Sequence, residues 1–149
     1  MIEELGYSIS MWNGEEQAAS LSVTCGGFSE RVGNVALIKA SLVGDGRVEL
    51  DPERFAVEGL RSLVEVWQPD WGACLSHRLV DSQEDGPGDI NVGWVTYVRG
   101  AGDFGGDMPE RARVEAWPGG STISLGTPFD PISADDLLAV RRALVSAGR

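Results

Sequence analysis

The chain has 149 residues, 42% of them hydrophobic, and its 23 acidic and 12 basic residues give a net charge of −11. Length and composition are those of an ordinary globular protein, so we expect one domain spanning residues 1–149. An acidic surface repels phosphate groups, which argues against nucleic acid and membrane headgroups as partners and favours a basic protein.

The ends and the cysteines point to a cytoplasmic protein. The first residues show neither the basic start nor the apolar run of a signal peptide, and no stretch is apolar for long enough to span a bilayer. Cys25 and Cys74 lie in apolar runs without the C-x-x-C spacing. This placement favours buried, reduced thiols over a zinc site or a redox pair, so no cofactor is expected.

The first third of the sequence predicts three antiparallel strands. Residues 7–12, 19–25 and 34–42 are strand-like, and Asn13-Gly14 and Gly44-Asp45-Gly46 mark turns. The first strand should be half-buried, because its apolar side chains fall on one face.

A helix and a tryptophan-rich corner follow. Asp51 and Pro52 are typical of a helix start, and apolar residues at helical spacing continue to Trp67. Pro69 should end the helix, and Trp67 and Trp71 should form a core corner between it and a strand over residues 73–79.

The last third predicts a strand over residues 91–98, a hairpin of residues 113–117 and 122–125, and a final helix. Ser133 should cap that helix, because Asp136 follows three residues later in a near capping box. The predicted fold class is therefore α+β: an antiparallel β-sheet meander with two helices packed on one face.

The sequence offers little catalytic chemistry. His77, the single histidine, lies on the predicted strand, and Ser76 and Ser82 are close to it in the sequence. No G-x-S-x-G motif supports a hydrolase, so we expect no enzymatic activity, and a small hydrolase using His77 stays as a weak alternative.

Two acidic, loop-like segments are the most distinctive polar features. Residues 81–89 carry four carboxylates, but their spacing does not match a calcium-binding loop. Residues 100–106 are rich in glycine, yet Asp103 and Asp107 would repel phosphate. No metal or phosphate site is therefore predicted in either segment.

The five tryptophans allow a second kind of function. Trp67 and Trp94 are expected in the core, whereas Trp12 and Trp117 adjoin turns and are expected at the surface. Exposed tryptophans would suit an acidic adaptor that binds a protein or a glycan, which is the alternative to the function inferred below.

Three motifs occur in a characteristic order: V-E-V-W-Q-P-D-W at residues 64–71, V-G-W-V-T-Y-V at 92–98, and A-R-V-E-A-W-P-G-G-S-T-I-S-L-G-T-P-F-D at 112–130. In order and spacing they resemble the immunity protein 52 family of bacterial polymorphic toxin systems. The resemblance is good from residue 60 onwards and looser before it. The motif residues expected to have a structural role are Trp67, Pro69, Asp70, Trp71, Gly93, Trp94, Tyr97 and Phe129.

The resemblance implies a cytoplasmic, non-catalytic antidote encoded beside its toxin, which is typically a nuclease with a restriction-endonuclease-like fold. The acidic charge independently favours such a partner, because a nuclease's DNA groove is basic. Occupation of that groove and binding away from it fit the sequence equally well. The carboxylates expected to contact the toxin are Asp81, Glu84, Asp85, Asp89, Asp103, Asp107 and Glu110.

Overall fold

The computed structural model describes residues 5–12, 14, 20–27, 35–39, 51–84, 86, 90–100, 104, 108–128 and 130–147. The chain forms two compact units, residues 1–51 and 52–149, and each is described by itself. The single-domain organisation expected from the length stays a prediction.

The first unit contains a three-stranded antiparallel sheet. Its strands are β1 (Leu5–Trp12), β2 (Ser20–Gly27) and β3 (Val35–Lys39), in the order β1-β2-β3. The predicted meander is thereby confirmed. On one face, the Ser10 and Ser22 hydroxyls lie 3.1 Å apart across β1 and β2.

The apolar side chains of β1 are more exposed than predicted. Tyr7, Ile9 and Met11 are 65%, 59% and 55% exposed. Both clusters of buried apolar residues in the described part of the chain belong to residues 52–149. The prediction of a half-buried first strand was therefore wrong.

The second unit begins with helix α1 (Pro52–Trp67), whose predicted bounds are confirmed. Leu60 and Val64, four residues apart, are buried on one face of the helix. At its end the Gln68 N–H donates to the Val64 carbonyl at 3.0 Å, and Gln68 has a φ of +46°. A left-handed residue at this position is a common helix stop, although glycine is the usual residue there.

A four-stranded antiparallel sheet forms the centre of this unit. Its strands are β4 (Trp71–Cys74), β5 (Val95–Arg99), β6 (Arg113–Trp117) and β7 (Gly120–Ser124), in the order β4-β5-β7-β6. The predicted hairpin is confirmed as β6 and β7. Gly119 in its turn has a φ of +74°, which favours glycine.

The two long helices pack on opposite faces of this sheet. Tyr97 of β5 belongs to a buried cluster with Leu60 and Val64 of α1, whereas its neighbour Val98 belongs to a cluster with Val140 of helix α3 (Ala134–Ser146). Successive residues of a strand point to opposite faces. The α+β class is confirmed, but α1 and α3 do not share the one face that the sequence predicted.

The strand predicted over residues 73–79 ends early. After Cys74 the chain forms a short helix, α2 (His77–Asp81), so His77 and Leu79 are helical. The Ser76 side chain accepts a hydrogen bond from the Leu79 N–H at 3.4 Å, as an N-cap residue does. The apolar alternation that predicted a strand was wrong here because so short a run also suits one turn of helix.

The cap of α3 is as predicted. The Ser133 hydroxyl accepts a hydrogen bond from the Asp136 N–H at 3.1 Å. Leu137, Val140 and Leu144 are buried and form the apolar face of the helix.

Candidate functional site

The acidic turn, defined as residues 81–86, follows α2 directly. The N–H of Gln83 donates to the Val80 carbonyl, and the N–H of Gly86 donates to the Gln83 carbonyl, each at 2.9 Å. Asp81 and Glu84 are exposed. The backbone is thus folded tightly, while these two carboxylates face solvent.

A buried glutamine holds this turn against the core. Gln83 is 1% exposed, and its Nε2 donates to the carbonyls of Leu79 at 2.7 Å and Val92 at 2.8 Å. Its Oε1 accepts from the Val92 N–H at 2.9 Å. The side chain therefore pairs both backbone groups of Val92 and shares the Leu79 carbonyl with the Ser82 hydroxyl, which donates to it at 2.9 Å.

A buried arginine fixes the same turn to α3. Arg141 is 4% exposed, and its guanidinium donates to the Gln83 carbonyl and, at 3.2 Å, to the Gly86 carbonyl. A Cβ at Gly86 would lie 2.5 Å from an Arg141 nitrogen and 2.8 Å from a Leu138 methyl group. Residue 86 must therefore be small for the turn to approach α3 this closely.

Neither Gln83 nor Arg141 is among the residues that the sequence predicts for the site. Arg141 lies four residues after Leu137 and one after Val140, both fully buried, so its position on the apolar face of α3 was the available signal. For Gln83 no such signal was available, because its burial depends on contacts with Leu79 and Val92.

The other carboxylates expected at the interface are distributed differently. Glu110 is exposed, but it lies on a separate turn that precedes β6. Asp85, Asp89, Asp103 and Asp107 lie outside the described residues. Of the predicted set, the structure thus places Asp81 and Glu84 on one anchored turn.

The tryptophan corner, defined as residues 67–71, is more open than expected. Trp67 and Trp71 are 44% and 38% exposed, although the sequence predicted a core corner. The exposed Asp70 carboxylate lies 3.4 Å from a guanidinium nitrogen of Arg99, and the backbone N–H of Arg99 donates to the Asp70 carbonyl at 2.9 Å. Pro69 is half-buried. Two bulky indoles are therefore partly available to a partner.

The second family motif is internal. Tyr97 is 1% exposed, Trp94 is half-buried against the core, and Gly93 donates its N–H to the Thr96 hydroxyl at 3.0 Å. A Cβ at Gly93 would collide with the carbonyl of Cys74. These residues join the end of β4 to the start of β5. Phe129 lies outside the described residues.

Of the two tryptophans that the adaptor alternative needs at the surface, one is buried. Trp12 is 67% exposed, as predicted, but Trp117 is only 8% exposed, so the prediction of an exposed Trp117 was wrong. The Arg61 guanidinium carbon lies 4.8 Å from the centre of the Trp117 ring, and Tyr97 packs nearby. Helix α1 covers this indole, which a sequence pattern at a strand end does not reveal.

No catalytic arrangement forms around His77 or Cys74 within the part of the chain that the structure describes. His77 is exposed at the start of α2 and has no hydrogen-bond partner there, and the Ser76 hydroxyl is engaged as the N-cap. Burial raises the pKa of Cys74 to about 12, and its thiol donates to the Ala56 carbonyl at 3.0 Å. The thiol is therefore protonated and a poor nucleophile near neutral pH.

Two further features are absent from the described residues. These residues contain no group of three or more His, Cys, Asp or Glu side chains arranged to hold a metal ion. None of their helices combines the length and the apolar character that a membrane span requires.

Comparison with known proteins identifies the family. No match was found among curated proteins or among solved structures. The family model of immunity protein 52 matches residues 2–128, which include the acidic turn and the tryptophan corner, while Phe129 and α3 lie beyond the matched region. Because the match covers most of the sequence, the chain belongs to the immunity protein 52 family.

Proposed function

We propose that this protein is a cytoplasmic immunity protein that binds and neutralises one cognate toxin, the product of the adjacent gene, without catalysing a reaction. Membership of the immunity protein 52 family carries the proposal. The isolated position of His77 and the raised pKa of Cys74 support a binding role over a hydrolytic one.

The proposed toxin is a nuclease, because charge makes such a partner complementary. The antidote carries a net charge of −11, and a nuclease must present a basic groove to the DNA or RNA phosphates. Opposite charges of this kind accelerate encounter and help to select the partner. The acidic surface would then lie over the groove or beside it.

The acidic turn is the part of the surface that we propose makes this contact. Gln83 and Arg141 fix its backbone before a partner arrives, so little conformational entropy is lost when Asp81 and Glu84 are engaged. Asp85, Asp89, Asp103, Asp107 and Glu110 are proposed to extend the contact. A rigid turn with exposed carboxylates suits recognition of lysine and arginine side chains.

The test is a titration against the product of the adjacent gene, with nucleic acid cleavage measured in parallel. We expect a one-to-one complex and complete loss of cleavage at equivalence. A toxin that cuts nucleic acid normally in the presence of excess antidote would refute the proposal. A complex that forms with a toxin of another activity would retain the immunity role and refute only the nuclease.

The contribution of the turn is tested by charge reversal. Glu84→Lys should weaken binding by about tenfold or more at low salt, since it replaces an attraction by a repulsion at the contact. Glu65→Lys, at an exposed position of α1, is the matched control with the same change in net charge. Equal effects of the two changes would show that only total charge matters.

A double variant tests the other two carboxylates of residues 81–89. The double change Asp85→Lys and Asp89→Lys should weaken the complex further and make its affinity less dependent on salt. Unchanged affinity at low salt for this variant and for Glu84→Lys would remove residues 81–89 from the interface.

A further inference from the structure

Strand β6 ends the four-stranded sheet and is hydrogen-bonded only to β7 among the described residues. Its residues 113–116 are exposed, and Val114 is 48% exposed. An exposed edge strand with an apolar side chain is a template for pairing with another strand. The residues that face outward along this edge decide which partner fits.

The outward backbone groups of β6 follow from the register of its neighbours. The N–H of Leu125 donates to the Trp94 carbonyl, and the Gly119 carbonyl accepts from the N–H of Gly100. Leu125 and Gly119, at the two ends of β7, therefore direct their backbone groups towards β5, and so do the odd-numbered residues between them. Even-numbered residues of β7 therefore bond towards β6, where they face residues 113, 115 and 117. The N–H and C=O groups of Val114 and Ala116 point away from the sheet.

We infer that a second copy of this chain pairs with β6 in antiparallel register about a two-fold axis at Val114. In this register Val114 faces its own copy and exchanges both backbone hydrogen bonds with it. Arg113 of each chain then faces Glu115 of the other, so the two cross-strand pairs are attractive.

Other two-fold registers fit less well. An axis at Glu115 brings the two Glu115 carboxylates together, and an axis at Arg113 brings the two guanidinium groups together. Registers that place an odd-numbered residue opposite an even-numbered one leave the outward donors without acceptors, because donors and acceptors alternate along a strand. An axis at Ala116 places Val114 opposite Pro118, which has no N–H to donate, and an axis at Ala112 brings Arg111 and Arg113 together. The axis at Val114 therefore satisfies the backbone and the charges best.

The test measures mass by sedimentation over a concentration series up to about 1 mM, since pairing of one short strand is a small interface. The apparent mass should rise from 15.9 kDa towards twice that value. Glu115→Arg should keep the protein monomeric, because Arg113 then faces Arg in the partner. Glu65→Arg, with the same charge change on α1, should associate like the wild type.

Charge exchange identifies the register. The double variant Arg113→Glu with Glu115→Arg should regain the association, since each pair is again attractive. Arg113→Glu mixed with Glu115→Arg should form a heterodimer, although neither variant associates alone. Equal association of Glu115→Arg and the double variant would overturn the register, because an axis at Glu115 places Arg opposite Arg in both.

A proline variant tests whether association needs the outward backbone groups of β6 without disrupting the fold. Val114→Pro removes an outward N–H and keeps the bonds between β6 and β7, so folding should survive while association is lost. Wild type that remains at 15.9 kDa throughout would overturn the inference. Loss of toxin affinity in Val114→Pro, with a monomeric wild type, would instead assign the edge to the toxin.

Discussion

The acidic turn and the tryptophan corner each follow a helix, but they differ in what holds them. In the acidic turn, buried Gln83 and Arg141 bind the backbone while the carboxylates face solvent. At the corner the helix stops at Gln68, a left-handed residue, and the two large apolar side chains remain partly exposed. Buried polar side chains thus anchor the acidic turn, whereas the large apolar side chains of the tryptophan corner stay partly exposed to solvent.

The difference shows that residue type alone is a poor guide to position in this protein. Aromatic residues are large, so a tryptophan can contribute to packing and still present part of its ring to solvent. A buried amide or guanidinium costs free energy unless every group is paired, so it fixes the local backbone more strictly. We therefore expect the stability of the two segments to respond differently to substitution.

The largest effect is expected for Gln83→Ala. The change removes three buried hydrogen bonds and leaves a cavity, so the free energy of unfolding should fall by about 3 kcal/mol. Urea denaturation followed by circular dichroism measures it. Glu84→Ala, the exposed neighbour, should change stability by less than about 0.5 kcal/mol. Equal stability of the two variants would contradict the anchoring role of Gln83.

A smaller loss is expected for Arg141→Met. The Gly86 carbonyl loses its Arg141 donor, and the Gln83 carbonyl retains only the Gly86 N–H among the described donors. The free energy of unfolding should therefore fall by about 2 kcal/mol. Arg142→Met, at the adjacent exposed position, is the control. If the turn contacts the toxin, Arg141→Met should also reduce affinity, whereas Arg142→Met should not.

At the corner, Trp67→Ala should cost less than truncation of a buried tryptophan. With 44% of the residue exposed, we expect a loss of about 1–2 kcal/mol rather than the 3–5 kcal/mol of a core position. The same denaturation experiment tests this. Val66→Ala, at a residue 75% exposed, should have almost no effect. A loss above about 4 kcal/mol would show that the indole acts as a core residue.

The smallest change is expected at the helix stop and is stabilising. Gln68→Gly should raise the free energy of unfolding by about 0.5 kcal/mol, because glycine adopts a φ of +46° without steric cost. Gln68→Ala retains a Cβ and should leave stability nearly unchanged. Destabilisation by glycine would mean that the Gln68 side chain makes a contact worth more than the relief of strain.

Elements marked by local chemistry could be predicted from the sequence. Pro52 located the start of α1, Ser133 the start of α3, and Pro118-Gly119 the turn between β6 and β7. Helix α2 could not be predicted, because five residues are too few to establish a helical period. The opposite placement of α1 and α3 depends on which face of β5 each helix covers, and both faces carry bulky side chains.

The candidate site was predictable only in part. Exposure of Asp81 and Glu84 could be predicted, because charged side chains in a run without apolar residues stay in water. The anchoring of the turn could not be predicted from the sequence, because the hydrogen bonds from Gln83 to Val92 and from Arg141 to Gly86 depend on the tertiary structure. Exposure of Trp67 and burial of Trp117 likewise depend on where α1 ends and what it covers.

The anchoring of the acidic turn by Gln83 and Arg141 also affects how the protein can evolve. The Gln83 side chain binds Val92 while Arg141 binds Gly86, so the two ends of the segment 87–91 are held by residues outside that segment. Because closing a loop between fixed ends costs little more when the loop is a few residues longer, the length of this segment can change while Ile90 keeps its contact with the core. An immunity protein that meets a changing toxin can therefore vary this segment while it keeps Gln83 and Arg141.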